Sequence, residues 1–400
     1  MDRIVVVGAS LAGLSAARTL RREGYEGELT LVGAETHLPY DRPPLSKGFL
    51  QGARSEMDLQ LLREGEYDGL GVTWSLGHTA SGLDVERRRV TLDNGDELPY
   101  DGLVLATGSI ARRIAGTDGL GRVHVLRTLG DAVTLRADLQ EGAERVAVVG
   151  SGFIGGEVAA SCVAMELPVT VIEAARVPLV RAVGERVGQV CADLHRDHGV
   201  DLRLGVGVAA LDADGDGRVE RVVLSDGTVV DADVVVVGIG VRPATDWLED
   251  SGLTIDDGVV CDETCLAAPG VVAAGDVARW PNPLFGEVMR VEHWENAVEQ
   301  GAHAARRLLL GPDAGPFAPV PWFWSDQYDR KIQMVGRAGR DEEVEVVMGS
   351  VAERRFVATY GRDGQLIGAF AMNRPRQIVQ LRGVIAERGT VDDARAVVGA

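Results

Sequence analysis

Cysteine is scarce in this chain, and its spacing excludes more chemistry than its number. The four thiols, Cys162, Cys191, Cys261 and Cys265, form no Cys-x-x-Cys pair, and none lies near the first glycine-rich turn, so no dithiol relay is expected. Cys261 and Cys265 follow the strand-like run Val259-Val260 and read as ordinary thiols. Basic side chains are also in short supply. Against 41 Lys and Arg stand 60 Asp and Glu, a formal charge of −19, which disfavours nonspecific binding to nucleic acid or to anionic lipid. No apolar run approaches the ~20 residues needed to span a bilayer. The strand-like run Ile4-Val5-Val6-Val7 begins directly behind Met1-Asp2-Arg3, leaving no room for a leader, and the expectation is a cytoplasmic protein. Cys191, His195 and His198 share one helical face at i, i+4 and i+7, a spacing open to zinc. Val187, Val190 and Leu194 point instead to an ordinary amphipathic helix, no fourth ligand is evident, and no metal is expected.

What is abundant is glycine, 51 residues in 400, with 46% hydrophobic side chains; this suits a globular chain of two or three domains. The order strand, glycine turn, helix, strand, acid occurs twice. Ile4-Val5-Val6-Val7 runs into Gly8-Ala9-Ser10-Leu11-Ala12-Gly13 and a helix of small residues, and Leu29-Thr30-Leu31-Val32 then leads to Glu35. Arg145-Val146-Ala147-Val148-Val149 runs into Gly150-Ser151-Gly152-Phe153-Ile154-Gly155, and Val169-Thr170-Val171-Ile172 ends at Glu173. In such a unit the first glycine makes the turn, helix-start N–H groups meet a pyrophosphate, the third glycine lets helix and strand pack, and the acid binds a ribose. The first copy has Ser10 where the middle glycine is expected. Two copies imply two dinucleotides.

Three further apolar runs end in small residues: Leu103-Val104-Leu105-Ala106-Thr107-Gly108, Val234-Val235-Val236-Val237-Gly238-Ile239-Gly240, and Val271-Val272-Ala273-Ala274-Gly275-Asp276. With these, the chain resembles the FAD-dependent pyridine nucleotide reductases, in which Ala-Thr-Gly closes the first FAD segment and a later Gly-Asp binds the ribityl chain. The resemblance makes Asp276 an FAD ligand; because it follows the second glycine unit, the NAD domain is inserted in a split FAD domain. The expected fold class is α/β with two Rossmann-like dinucleotide-binding domains and a C-terminal α+β domain. The expected boundaries are 1–111 and 244–318 for FAD, 112–243 for NAD and 319–400 for the tail, where Ile332-Gln333-Met334-Val335, Val344-Glu345-Val346-Val347 and Phe356-Val357-Ala358-Thr359-Tyr360 read as strands.

Leu38-Pro39-Tyr40-Asp41-Arg42-Pro43-Pro44-Leu45-Ser46-Lys47 and Pro321-Trp322-Phe323-Trp324-Ser325-Asp326-Gln327-Tyr328 narrow the resemblance to the NADH-dependent ferredoxin reductases that serve bacterial oxygenases. Gly156 departs from it, since the family often has a larger apolar residue there. The resemblance implies FAD contacts at Gly8, Ser10, Ala12, Gly13, Glu35, Arg42, Lys47, Ala80, Arg127, Asp276 and Trp294. It implies NAD contacts at Gly152, Phe153, Ile154, Glu157, Glu173 and Gly240, with Lys47 and Glu157 a tuning pair beside the flavin. The helix from near Glu292 to Gly311-Pro312 would point its positive end at the flavin pyrimidine, and Trp322 and Trp324 would wall the ring. The implied reaction is hydride transfer from NADH to FAD, then single electrons to a [2Fe-2S] ferredoxin that supplies a haem monooxygenase or a ring-hydroxylating dioxygenase. Arg306, Arg307, Arg330, Lys331, Arg337 and Arg340 are candidates for the ferredoxin-docking face. The expected assembly is a monomer or weak homodimer. Other readings of the scaffold are a rubredoxin reductase, an NADH oxidase, or an NADH-sensing binding protein resembling apoptosis-inducing factor.

Overall fold

The structure, a computed structural model, describes residues 1–63, 65–338 and 342–399. Its contacts divide the chain into two units, one of Met1–Asp41, Gln60–Ile110 and Arg242–Trp322, the other of Arg42–Leu59, Ala111–Val241 and Phe323–Ala400. In the first, strand Arg3–Val7 lies between the parallel strands Glu28–Gly33 and Gly102–Leu105; Thr73–Leu76 continues one side and Val271–Ala273 the other. Ile4 through Val7 are all buried, as expected of a parallel strand covered on both faces. Val5, Val7, Leu103 and Leu105 face the antiparallel strands Ala80–Asp84 and Arg89–Leu92, whose Leu83, Val90 and Leu92 share their core. Ile4, Val6 and Val104 face the other way, onto helices Leu11–Arg22 and Trp294–Leu310. Those two helices meet through alanines, and a Cβ on Gly301 would stand 2.3 Å from the Ala12 carbonyl oxygen.

The second unit repeats the plan. Strand Val146–Val149 lies between Val169–Glu173 and Val234–Val237, with Asp201–Leu204 and Val123–His124 outermost, all parallel. Helices Phe153–Ala164 and Leu129–Gln140 cover one face, the latter started by a capping box in which Thr128 and Asp131 bond each other's backbone N–H. The antiparallel strands Val208–Ala213, Val219–Leu224 and Val229–Asp231 supply Val222 and Leu224 to the other face.

The tail forms a five-stranded antiparallel sheet in the order Trp322–Gln327, Arg330–Gly336, Gln365–Met372, Arg355–Arg362, Glu343–Ser350, followed by helices Pro375–Ala386 and Val391–Gly399. Helix Val180–Asp197 packs Val183, Val187 and Leu194 into the core of that sheet. Cys191 is buried in the same core, His195 Nδ1 lies 2.7 Å from the Tyr328 hydroxyl, and the His198 ring stacks on Tyr328 at 4.1 Å. These three residues are thus absorbed by packing. Among the described residues no group of His, Cys, Asp and Glu is arranged to hold a metal ion, and no helix is long and apolar enough to cross a membrane.

Burial lowers the pKa of His195 to about 4, with the charges of His198 and Arg196 acting in the same direction. The unfolded chain therefore binds a proton that the folded chain refuses between the ordinary value of 6.5 and about 4. Stability contributed this way is complete above pH 6.5 and is lost as the pH falls through that window. Lowering the pH from 7 to 5 should cost about 2 kcal/mol through His195 alone. Urea melts across this range should give a shallower pH slope for His195→Asn; an unchanged slope would remove His195 from the acid response.

Candidate functional site

Both glycine turns are built on backbone pressed against backbone. Gly8 has φ +120°, and a Cβ there would lie 2.0 Å from the Ala106 carbonyl oxygen. Gly150 has φ +99°, and its Cβ would lie 2.4 Å from the Gly238 oxygen. At the third glycine of each turn, Gly13 and Gly155, a Cβ would fall 2.0 Å from the carbonyl oxygen of Gly8 and Gly150 respectively. Ser10, by contrast, is extended at φ −126°, so the departure from glycine introduces no backbone strain. Helices Leu11–Arg22 and Phe153–Ala164 both start without a side-chain cap, leaving their positive ends to an anionic ligand. The two acids also take their expected places after the second strands. Glu35 accepts from the Tyr40 hydroxyl at 2.6 Å; Glu173 accepts from Ser151 N and Oγ at 2.8 Å each and from Ala175 N at 2.7 Å.

In the first unit, strand Val271–Ala273 delivers the Gly275–Val277 turn, and the Ser109 hydroxyl donates to Asp276 at 2.6 Å. Gly275 N donates to the wholly buried Gln300 at 2.9 Å, which ties this turn to the helix that Trp294 opens. Trp294 donates from Nε1 to Asp41 at 2.8 Å, and Ala80 is buried at the start of its strand. His293, just ahead of Trp294, is kept neutral by burial, its pKa lowered to about 4 against the pull of the Asp276 charge. Gly8, Ser10, Ala12, Gly13, Glu35, Ala80, Asp276 and Trp294 thus lie in one unit. Arg42, Lys47 and Arg127 lie in the other, where Arg42 Nη1 donates to the Arg127 carbonyl at 2.5 Å.

The second unit holds the NAD candidates and the densest polar cluster. Gly152 caps the helix, Phe153 meets Phe323 with ring centroids 4.3 Å apart, Ile154 is exposed, and Gly240 has φ +94°. Glu157 is 3% exposed on that helix. Its Oε2 pairs with Lys47 Nζ at 2.7 Å and accepts from the Ser46 hydroxyl at 2.5 Å, while Oε1 accepts from the Ser325 hydroxyl at 2.8 Å. Lys47 also donates to the Pro43 carbonyl at 3.1 Å, and Ser161 donates to the Ser46 carbonyl at 2.6 Å. A buried carboxylate is tolerable with this many donors. Sequence reading reached Lys47 and Glu157 but passed over Ser46, Ser325 and Gln327, although all three stand inside or at the end of the quoted motifs.

The basic docking candidates are less available than the sequence suggests. Arg306 pairs with Glu23 at 3.1 Å, Lys331 with Asp326 at 2.8 Å and Arg330 with Asp329, while Arg307 donates to the Thr264 hydroxyl at 2.6 Å. Arg337 is partly buried, which lowers its pKa, and Arg340 lies outside the described residues.

The residues present suit two bound dinucleotides: two uncapped helix starts over close-packed glycine turns, each followed by an acid. Comparison with known proteins agrees. Residues 2–301 match the model of the family described as pyridine nucleotide-disulphide oxidoreductase, and residues 322–398 match that described as reductase C-terminal. The chain is 39% identical over 398 residues to the ferredoxin–NAD(+) reductase component of the p-cumate 2,3-dioxygenase system of Pseudomonas putida, covering 99% of this chain and 96% of that one. It is 41% identical over 388 residues to the corresponding component of the anthranilate 1,2-dioxygenase system of Burkholderia cepacia, covering 96% and 94%. Among solved structures, the covalent putidaredoxin reductase–putidaredoxin complex superposes with a TM-score of 0.92 at 34% identity, over 97% of this chain and 93% of that one. The chain belongs to the pyridine nucleotide-disulphide oxidoreductase family, with the ferredoxin–NAD(+) reductases of oxygenase systems among its relatives.

Proposed function

We propose that this chain is an FAD-dependent NADH:ferredoxin reductase whose acceptor is a [2Fe-2S] ferredoxin feeding a haem monooxygenase or a ring-hydroxylating dioxygenase. The observation that carries the reading is the combination of two dinucleotide turns with no reactive thiol. Cys162, Cys191 and Cys265 are buried, their pKa pushed up to about 12, and burial pushes Cys261 higher still. A thiol held neutral cannot serve as the nucleophile of a disulfide or peroxide reductase. Reducing equivalents that enter from NADH would then pass to an external acceptor without a thiol relay, and the relatives' names support a ferredoxin in that place.

Bound FAD supplies the redox chemistry, accepting a hydride and passing on electrons one at a time. The chain's part is to bind, orient and set charge. Gly8, Ser10, Ala12 and Gly13 would cradle the FAD pyrophosphate, Glu35 its ribose and Asp276 its ribityl chain, with Ala80 and Trp294 beside them, while Arg42, Lys47 and Arg127 would be the second unit's FAD contacts. Gly152, Phe153, Ile154 and Gly240 would receive NADH. Glu173 would accept from the ribose 2′-hydroxyl and repel a 2′-phosphate, which selects NADH despite the nearby Arg176. The Lys47–Glu157 pair would hold a fixed positive and negative charge beside the reacting rings. On this reading residues 1–111 and 244–318 serve FAD, 112–243 serve NADH and 319–400 contribute the acceptor side; the protein works in the cytoplasm as a monomer or weak dimer.

Purified protein should be yellow with about one FAD per chain, bleach anaerobically with NADH, and reduce a haem reporter only when a [2Fe-2S] ferredoxin is added. Oxygen consumption unchanged by any ferredoxin of a panel would favour the NADH oxidase reading. Glu173→Ala should lower kcat/KM for NADH about tenfold and shrink the preference over NADPH, since one charge-assisted hydrogen bond and one repulsion are lost. Equal loss with both nucleotides would assign Glu173 to holding its own turn through Ser151 and Ala175.

A further inference from the structure

Gln327 is 1% exposed, its Nε2 donates to Ser325 Oγ at 3.2 Å, and its Oε1 has no hydrogen-bond partner among the described residues. A buried amide whose carbonyl oxygen has no partner is costly, so its position calls for a cause. Two neighbours supply one. Because Ser325 Oγ accepts from the Gln327 amide, its own hydrogen is directed to Glu157 Oε1, 2.8 Å away. The amide itself lies against Gly156, where a Cβ would meet Nε2 at 2.6 Å, Cδ at 2.8 Å and Oε1 at 2.9 Å. Any side chain at 156 would push Gln327 aside.

We propose that Gln327, admitted by the missing side chain at Gly156, is a positioning residue for the Lys47–Glu157 pair and acts through the Ser325 hydroxyl. The Glu157 carboxylate is held at both oxygens: Lys47 and Ser46 fix Oε2, and Ser325 fixes Oε1. Without the Oε1 bond the carboxylate can rotate about its terminal torsion, and the Lys47 ammonium moves with it. Gly156 and Gln327 therefore form one steric unit whose output is the orientation of a charge pair. The inference rests on the reading that this pair serves hydride transfer.

The test uses the FAD-loaded protein and two readouts, the limiting rate of anaerobic flavin bleaching by NADH and the flavin midpoint potential. Glu157→Gln probes the underlying reading: no change in either quantity would overturn that reading itself. Ser325→Ala should slow bleaching about tenfold, the size expected for a hydrogen bond to a charged group, with less than about a twofold change in the NADH dissociation constant, and Ser325→Thr should recover the rate. Gln327→Ala and Gly156→Ala should each slow bleaching about threefold to tenfold and move the potential in the same direction as Glu157→Gln. The double variant Gly156→Ala/Gln327→Ala should be no slower than Gln327→Ala alone, because the added methyl acts only by displacing the amide. Additive losses in the double variant would overturn the steric link. Losses confined to melting temperature, with rate and potential intact, would reduce Gln327 to packing. Should Gly156→Ala purify without flavin, the proposal stands or falls on whether Ser325→Thr and not Ser325→Ala retains the rate and potential.

Discussion

The two binding turns depend on backbone approaching backbone more closely than any side chain allows. At Gly8 the carbonyl of Ala106, and at Gly150 the carbonyl of Gly238, occupies the volume a Cβ would need. That approach draws the end of a neighbouring strand over the turn, in one case Ala106-Thr107-Gly108 and in the other Gly238-Ile239-Gly240. It also sets each helix tight on its turn, with first-turn N–H groups directed outward for a phosphate. The order of strands follows, since the turn must lie between the strand that precedes it and the parallel neighbour that caps it.

This steric requirement is why so much of the fold was legible in the residues. Glycine at 8, 13, 150 and 155 is a constraint of geometry written into composition, and the apolar runs at 4–7, 103–105, 146–149 and 234–237 are parallel strands buried on both faces. The same logic explains what escaped. Strand Gln365–Met372 is buried from Leu366 onward, so it shows no alternation, and Gly368, Ala369 and Ala371 give it a weak strand signature. Residues 42–59 read as a continuation of the segment before them, yet pack with the second unit, where Leu50 enters the core beneath Phe153–Ala164. Nothing local announces that choice of partner.

The polar cluster around Glu157 shows the limit from another side. Its members come from residues 46, 47, 157, 325 and 327, and each alone has an ordinary explanation: a loop serine, a solvated lysine, a helical glutamate. Two of the five were reached through resemblance. The other three follow only from the structure, because a hydrogen-bond network is a property of positions in space and carries no spacing in sequence.

Charge is arranged in this chain by pairing, more than by accumulation. Against 60 acidic side chains stand 41 basic ones, and three of those expected to form a basic face are tied to neighbours: Arg306 to Glu23, Lys331 to Asp326, Arg330 to Asp329. Exposed pairs of this kind contribute little stability, but they weaken the field that a cluster of free arginines would project within a Debye length of the surface. The one lysine held against a buried acid, Lys47, is different in kind. Its partner Glu157 is shielded from water and fixed at both oxygens, so the pair's field is local and directional, and it acts on whatever lies beside it without attracting ions from solution. The chain thus carries its excess of acid over the whole molecule and keeps one shielded, directional charge pair inside the second unit.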